Sequence, residues 1–374
     1  MGFGARPGGP AHFRRADAPI SLWRVGGHNA VDGSLVMCPQ DDPGWLELIR
    51  RSPAATAFHH PAWSAVVSAT YGYPGFVLVQ WTGTGRVVGG LPVIEVANPL
   101  GRRRLVSLPF TDHCPAVLDE GTDEARFAEA VARWRQGRGE ITMEVRSDLK
   151  AEGAYPQAAG VRHLLTLEPD PAVLFRRLDR NQIRRRVRRS RELGVEAVLS
   201  HSRDELGAFY ELHCGTRRRQ GVPVQPRRFI ENLWREVIEP RLGFVVTARL
   251  GGRPIATALF LAWNRTLIYK YSASVPSLWN LGANFLVQWT AIEWACENGY
   301  STYDLGRTDP GHESLRAFKA GWGAREIPLV YTRIGGQAAR LGRGRASAAL
   351  GHVIRRSPTA VCRALGEVLY RYAA

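Results

Sequence analysis

Apolar and polar positions run through the chain in two similar passes. WLELIRR (45–51) and PAWSAVVSATYG (61–72) carry helical spacing, and Pro61 stands where a first-turn proline opens a helix. GFVLVQW (75–81) and VVGGLPVIEV (87–96), joined by TGTGR, predict a β-hairpin. RRLVSLPF (103–110) predicts a further strand, DEARFAEAVARWRQ (123–136) a helix and EITMEVR (140–146) a strand. An Arg-rich helix follows over about 171–193, stopped by Gly194, then strand VEAVLS and helices over 203–218 and 226–239. GFVVTARL (243–250) and IATALFLAW (255–263) predict a second hairpin, and TLIYKYSAS (266–274) another strand. A long helix (283–299), strand STYDLG (301–306), helix HESLRAFKAGW and strand EIPLVYT complete the pass. Hairpin, strand, helix, strand thus occurs twice, which predicts a duplicated α/β unit on element order alone.

The flanks differ in character. Residues 1–40 are rich in Gly, Pro and Arg, without sustained periodicity, and read as a flexible arm. The expected units are 41–165 and 166–333, with a basic amphipathic helical tail over 334–374. In that tail Ser357 is expected as an N-cap and Pro358 as a first-turn proline, and Val361, Leu365, Val368, Leu369 and Tyr372 fall on one apolar stripe. Core spacing of this kind predicts docking on the protein's own body; peripheral membrane contact is the alternative.

Length and composition narrow the class. A chain of 374 residues, 45% hydrophobic and 22% charged with eleven Trp, is long enough for two packed cores. It has no window of 18 unbroken apolar residues and no apolar stretch after the start that would direct secretion. The five cysteines are scattered without a CxxC pair, as buried free thiols in a reducing compartment would be, so neither zinc nor disulfides are expected. A cytoplasmic protein without a metal site is the expectation.

The net charge of +16 is local. Arg176–Arg228 holds fifteen Arg against six acids (+9), and Arg333 to the end holds eight Arg against one Glu (+7), which accounts for the whole excess. Two basic surfaces point to a polyanionic partner such as RNA, a nucleotide diphosphate or an acidic membrane; a solvated Arg-rich face is the plainer reading. Only Lys150, Lys270 and Lys319 are lysines, against 47 arginines. A lysine retained in such a chain is a candidate for work that needs a compact ammonium.

The motifs are more specific than the order. YKYSAS (269–274), LGANFLVQWTAIEWACENGYSTYDLGRTD (281–309) and ESLRAFKAGWGA (313–324) resemble the FemAB family, whose chains hold twin GNAT-like domains. The segment beginning NQIRRRVRRSRELG (181–194), and TAFHHPAW followed by SLPFTDHCP in the first unit, fit the same pattern, so the resemblance spans about 45–333. It implies an α/β (α+β) fold of two tandem GNAT-like domains, each a mixed, mainly antiparallel sheet flanked by helices. It also implies transfer of an aminoacyl group from aminoacyl-tRNA to an amine acceptor on a cell-envelope precursor or natural product, with no cofactor beyond the tRNA co-substrate. The coiled-coil arm that some members insert in the second domain is missing here. An acyl-CoA-dependent N-acyltransferase acting on an amino sugar or polysaccharide precursor is the alternative. A non-catalytic RNA-binding protein is a second. In CoA-using members a Gly-rich loop before the long helix holds pyrophosphate, whereas this chain reads NLGAN there, which counts against CoA.

An aminoacyl ester is already activated, so the protein must place a neutral amine by its carbonyl and stabilise the developing oxyanion. Lys319 matches the lysine of the family's Phe-Lys-x-Gly motif, with an implied role beside the oxyanion or the terminal tRNA phosphates; a solvent-facing helix position is the bland alternative. Phe318 would wall the site. Asp304 ends a strand, with Arg307 and Asp309 after it; either Asp could take or hold a proton of the amine, or serve as an ordinary turn residue. Tyr269 and Tyr271 are expected on one face of their strand and Lys270 on the other, and all three are candidate substrate contacts. Asp112 and His113 read as substrate contacts from a first-unit loop, while His59 and His60 fit either caps or contacts. Cys114 beside His113 is a poor nucleophile pair, because adjacent side chains in extended chain point apart. On the Arg-rich helix, Leu174, Leu178, Ile183 and Val187 claim the buried side. That leaves Arg177, Arg184, Arg188 and Arg191 as an outer stripe for tRNA phosphates.

Overall fold

A computed structural model describes residues 34–336 and 345–373. In the first half, β1 (Leu35–Cys38), α1 (Pro43–Arg51) and α2 (Pro61–Tyr71) precede β2 (Gly75–Trp81), β3 (Val87–Ala97), β4 (Arg103–Val106) and β5 (Val117–Leu118). Next come α3 (Glu124–Gln136), β6 (Thr142–Val145) and β7 (Ala154–Thr166). The second half opens with α4 (Pro171–Arg177), α5 (Arg185–Glu192), β8 (Val195–Ser200), α6 (Glu205–Gln220) and α7 (Arg227–Leu233). It continues through β9 (Gly243–Leu250), β10 (Arg253–Trp263), β11 (Thr266–Ser274), α8 (Ala283–Glu297), β12 (Thr302–Thr308), α9 (Glu313–Gly321) and β13 (Arg325–Ile334). Helices α10 (Arg345–Arg356) and α11 (Thr359–Leu369) close the chain. Helix starts follow local chemistry: the carboxylates of Asp42, Asp123 and Asp170 each accept a first-turn N–H of α1, α3 and α4.

All thirteen strands of the described residues join one sheet, in the order β1-β2-β3-β4-β6-β13-β7-β12-β11-β10-β9-β8, with β5 on β3. Each half contains one parallel pair, β4 with β6 and β11 with β12, and every other pairing is antiparallel. The halves meet by exchanging strands. The last strand of the second half, β13, pairs with β6 of the first, and β7, the last strand of the first half, pairs with β12 of the second. β13 and β7 pair with each other at the seam. Sequence patterning passes over β7, because Pro156 and Gly160 interrupt its alternation. Gly160 is required there: at φ +123, a Cβ would stand 2.5 Å from the Thr308 carbonyl.

Three further readings differ from the pattern. Residues 1–33 of the expected arm lie outside the described residues, whereas Leu35–Cys38 is an edge strand paired with β2. The Arg-rich stretch is not one helix. Leu178 is extended, the Asp179 carboxylate caps a new start by accepting the Asn181 and Gln182 N–H groups, and a π-helical turn (Arg180–Arg184) leads into α5. Its buried side is as expected, with Leu174, Leu178, Ile183 and Val187 in the core. In the tail, α11 docks on the body through Cys362 and Gly366, with Tyr370 just after it and Leu365 of the apolar stripe packed against the same core. Val361, Val368 and Tyr372 are exposed. The small residues allow a closer approach: a Cβ on Gly366 would lie 2.1 Å from the Val224 carbonyl. Residues 337–344 of that tail fall outside the described residues, and no helix of the described residues is long and apolar enough to cross a membrane.

Candidate active site

The parallel ladder of β11 and β12 runs from Thr266–Ile268 against Thr302–Asp304 and stops there. Both strands then bulge. In β12, Leu305 and Gly306 together face His163 of β7, and Gly306 takes a left-handed φ of +74. In β11, Tyr271 pairs with Leu259 but Tyr269 pairs with Phe260, so Lys270 is the extra residue. That bulge reverses the expected facing of the tyrosines. Tyr269 packs beside Phe260 and Tyr303 in the second-half core, while Tyr271 lies on the other side against His213, facing the core between the halves.

Lys319, on α9, is buried at 3% exposure, which excludes the solvent-facing position. Its Nζ donates to the Gly306 carbonyl (2.9 Å) and the Arg307 carbonyl (3.1 Å), at the β12 bulge. Burial pushes its pKa down to about 8, against the opposing pull of Asp112, Asp304 and Glu326. Phe318, next to it, is partly buried edge-on to Phe285 of α8 (5.3 Å).

From the first half, the loop Ser107–Cys114 comes to the same bulge. Leu108 and Phe110 adopt φ of 62 and 63, left-handed values that cost a non-glycine residue free energy. What holds them is a series of side-chain donors to consecutive carbonyls. Thr111 Oγ1 donates to Leu108 O (2.7 Å), Trp63 Nε1 to Pro109 O (3.3 Å) and Lys270 Nζ to Phe110 O (2.5 Å). Arg146 Nη1 donates to Thr111 O (3.0 Å) and the Tyr331 hydroxyl to Asp112 O (2.8 Å). Lys270 also lies over the rings of Phe58, Trp63 and Tyr271, so it braces this loop.

The loop delivers Asp112. Its Oδ2 accepts the Arg307 N–H at 3.3 Å and sits beside Gly306, where any Cβ would come within 3.0 Å of it. Burial raises its pKa, but Lys270, the Arg307 N–H, Lys319 and Arg307 outweigh that and hold the carboxyl below its usual range. Asp304 is fully engaged: Oδ1 accepts the Gly306 N–H (2.8 Å) and Oδ2 accepts Arg162 Nε (2.8 Å). Burial raises the Asp304 pKa, against the pull of Arg162. Arg162 also reaches His113 Nδ1 through Nη1 (3.0 Å), so that nitrogen accepts and the His113 proton resides on Nε2. Burial and Arg162 push His113 down to about 3, leaving it neutral.

Other candidates lie further out or serve the frame. Asp309 is partly exposed and pairs with Arg307 Nη2 at 2.5 Å. His59 is buried, with Nδ1 accepting the Thr56 N–H and Nε2 bonded to Pro115 O, and His60 caps α2 by accepting the Ala62 N–H. Both are structural. Cys114 is fully buried, and desolvation drives its thiol far above the ordinary range, which removes it as a nucleophile. All five cysteines are buried and free, and no group of three or more His, Cys, Asp and Glu side chains among the described residues could hold a metal ion. The expected arginine stripe is broken up. Arg177 belongs to α4 and pairs with Glu168, Arg191 pairs with Glu293 (3.6 Å), Arg188 lies over Phe175 and Arg184 is half-buried. Arg180 and Arg185 are exposed on the same segment. Sequence reading passed over Arg162, Arg146 and Tyr331. Arg162 lies on the unrecognised strand β7, and nothing local marks the other two.

Residues 177–319 match the family described as an acetyltransferase (GNAT) domain. The match lies within the second half of the chain and supports an acyl-group transferase in the general sense. The fold is shared with FemX, which superposes with a TM-score of 0.62 at 15% identity, covering 77% of this chain and 94% of that one. L-PGS from Bacillus licheniformis gives 0.51 at 11% identity, over 86% of this chain and 99% of its own. The C-terminal domain of a proposed lysylphosphatidylglycerol synthetase from Agrobacterium fabrum gives 0.51 at 13%, over 83% and 94%. Among curated proteins no sequence matches significantly.

Proposed function

We propose that the protein transfers an aminoacyl group from aminoacyl-tRNA to an amine acceptor and so forms an amide. One observation carries the reading: Asp112 from the first half and Lys319 from the second meet across the β12 bulge, where β11 and β12 part. The acceptor's amine nitrogen attacks the ester carbonyl, the ester C–O bond breaks, and the amine's proton ends on the released tRNA hydroxyl. Asp112, held as a carboxylate, orients the amine and takes the proton in transit. Two of the three Lys319 N–H groups hold main-chain carbonyls; the third is free for the oxyanion. Asp304 and Arg162 position the bulge and His113, Lys270 braces the Asp112 loop, and Phe318 walls the donor side. Aminoacyl transfer to a precursor or lipid acceptor accords with the likeness in fold to FemX and to a lysylphosphatidylglycerol synthetase domain.

Acyl-CoA as donor is the second reading, favoured by the acetyltransferase domain match. Against it, a Cβ on Gly282, the residue before α8, would stand 3.1 Å from the Arg186 carbonyl, so α5 covers the turn where a pyrophosphate would approach that helix. The deciding test presents labelled aminoacyl-tRNA pools and acyl-CoAs in parallel with a mixture of amine acceptors. Consumption of aminoacyl-tRNA, abolished by Asp112→Asn, supports the proposal; consumption of acyl-CoA alone overturns it.

A further inference from the structure

Beyond α11 the tail bridges the two halves beside the loop that carries Asp112. Tyr370, in the 3-10 turn after α11 (Tyr370–Ala373), is buried at 7% exposure. Its ring stacks on Phe110 with centroids 5.2 Å apart, and its hydroxyl accepts Gln225 Nε2 at 2.8 Å. Phe110 belongs to the first half and Gln225 to the second. The next residue repeats the link to the first half: the Tyr73 hydroxyl donates to the Arg371 carbonyl (2.8 Å), and Arg371 Nη2 donates to the Tyr71 carbonyl (3.4 Å). On the second-half side, Glu367 accepts the Arg227 N–H (3.2 Å) and pairs with Arg228 (3.8 Å). Phe110 is the point where this bridge bears on the reaction site. It holds a left-handed φ of 63 two residues before Asp112, and its carbonyl accepts Lys270 Nζ. Its ring packs against Tyr71 at 5.4 Å, Phe229 at 6.2 Å and Tyr370, which comes closest and lies nearest to parallel. A strained non-glycine φ persists where the surroundings hold it, and the tail supplies part of that hold. The sheet has its own junction between the halves, in the pairing of β13 with β6 and β7, so it stands without the tail.

We propose that Tyr370 is a positioning residue for the reaction site: it clamps Phe110 in its left-handed turn, ties that turn to the second half through Gln225, and so fixes Asp112 against the Arg307 N–H. The action is indirect, through Phe110. For the rate of transfer the inference rests on the aminoacyl-transfer reading; for the placement of Asp112 it does not. The Asp112 carboxylate reports that placement. Lys270 of β11, Arg307 of β12 and Lys319 of α9 face it with positive charge and Asp304 of β12 with negative charge. The phenols of Tyr271, Tyr331 and Tyr370 and the neutral His113 also surround it. Burial raises its pKa, and Lys270, the Arg307 N–H, Lys319 and Arg307 outweigh that. When the loop loosens, those partners recede and the carboxyl titrates higher, toward the ordinary aspartate range.

The test reads both quantities on the full-length protein. Carbon NMR of carboxyl-labelled aspartate follows the Asp112 titration, its resonance assigned by its loss in Asp112→Asn, and transfer to a small amine acceptor gives kcat and KM. Tyr370→Ala should raise the Asp112 midpoint and lower kcat by about a hundredfold, the scale of a misplacement of ~1 Å, with little change in KM for aminoacyl-tRNA. Tyr370→Phe keeps the ring on Phe110 and should restore both readouts most of the way to the parent. Val368→Ala, exposed on α11, is the control and should match the parent in both. Tyr73→Phe removes the hydroxyl that holds Arg371 and should move both readouts in the same direction by less; it decides the matter if Tyr370→Ala does not fold. Unchanged midpoint and kcat in the deciding variant, or a Tyr370→Phe protein as impaired as Tyr370→Ala, overturns the proposal. A raised midpoint in a protein whose parent consumes no aminoacyl-tRNA sinks the transfer reading and supports the hold of Tyr370 on Asp112.

Discussion

Lys319→Met tests the heart of the site, because burial and hydrogen bonding act on Lys319 in opposite directions. At about 1.36 kcal/mol per pH unit, holding the ammonium's pKa at about 8 rather than 10.5 costs the folded state about 3 kcal/mol at pH 7. Methionine removes that cost. It also removes two charge-assisted bonds to the Gly306 and Arg307 carbonyls, each worth about 1.5–3 kcal/mol. At pH 7 the variant should therefore be less stable by roughly 0–3 kcal/mol. The pH dependence is the sharper readout. The folded pKa is depressed, so between about 8 and 10.5 the unfolded chain binds more protons, and stability rises with pH over that window. From pH 7 to 9.5 the parent should gain about 2 kcal/mol relative to Lys319→Met. Urea unfolding of both proteins across that range measures the difference, in which titrations common to both cancel. Parallel curves would mean that Lys319 is solvated, and the inferred burial of its charge would be wrong. With a pKa near 8 the group is mainly ammonium at pH 7, and losing it as an oxyanion donor should lower kcat about a hundredfold. A folded variant with near-parental kcat would confine Lys319 to holding the bulge.

Further outcomes follow from other contacts. Arg162→Gln leaves the buried Asp304 carboxylate without its partner and should cost about 3–5 kcal/mol in urea unfolding; a loss under 1 kcal/mol would show the pair to be solvent-screened. Gly366→Ala should lift α11 from Val224 and make the tail the first site of limited proteolysis; an unchanged digestion pattern would count against the docking face. Arg185→Gln with Arg188→Gln should weaken binding of every tRNA species alike and flatten its salt slope by about 1–2. A species-selective loss would point to base contacts instead.

Much of this was legible from pattern. Both hairpins read as continuous apolar runs joined by Gly-containing turns, and Lys319, Asp112, Asp304 and Arg307 stood out from their motifs and do converge. What escaped depends on tertiary geometry. An extra residue in β11 at Lys270 leaves no mark in YKYSAS, yet it sends Tyr269 and Tyr271 to opposite faces. Leu178 looks like any helical core position; only the Asp179 carboxylate capturing two N–H groups ends one helix and starts another. In the tail, the apolar stripe brings Leu365 to the core but leaves Val361 and Val368 exposed, because the close approach to Val224 is made at Gly366 on the neighbouring face. Arg162 was invisible because its strand reads as loop.

The crossed strands at the seam also set an order on synthesis. β13 leaves the ribosome after every other strand, yet its place is the middle of the sheet, between β6 and β7. Until it arrives, β6 has an unfilled hydrogen-bonding edge on one side of the gap and β7 has one on the other. Open edges of that kind recruit strands from other chains, so the nascent protein is most prone to aggregate just before its last strand inserts. A chain cut between its halves would leave β6 and β7 open in the first and β12 and β13 open in the second, which makes neither half a safe unit to express alone.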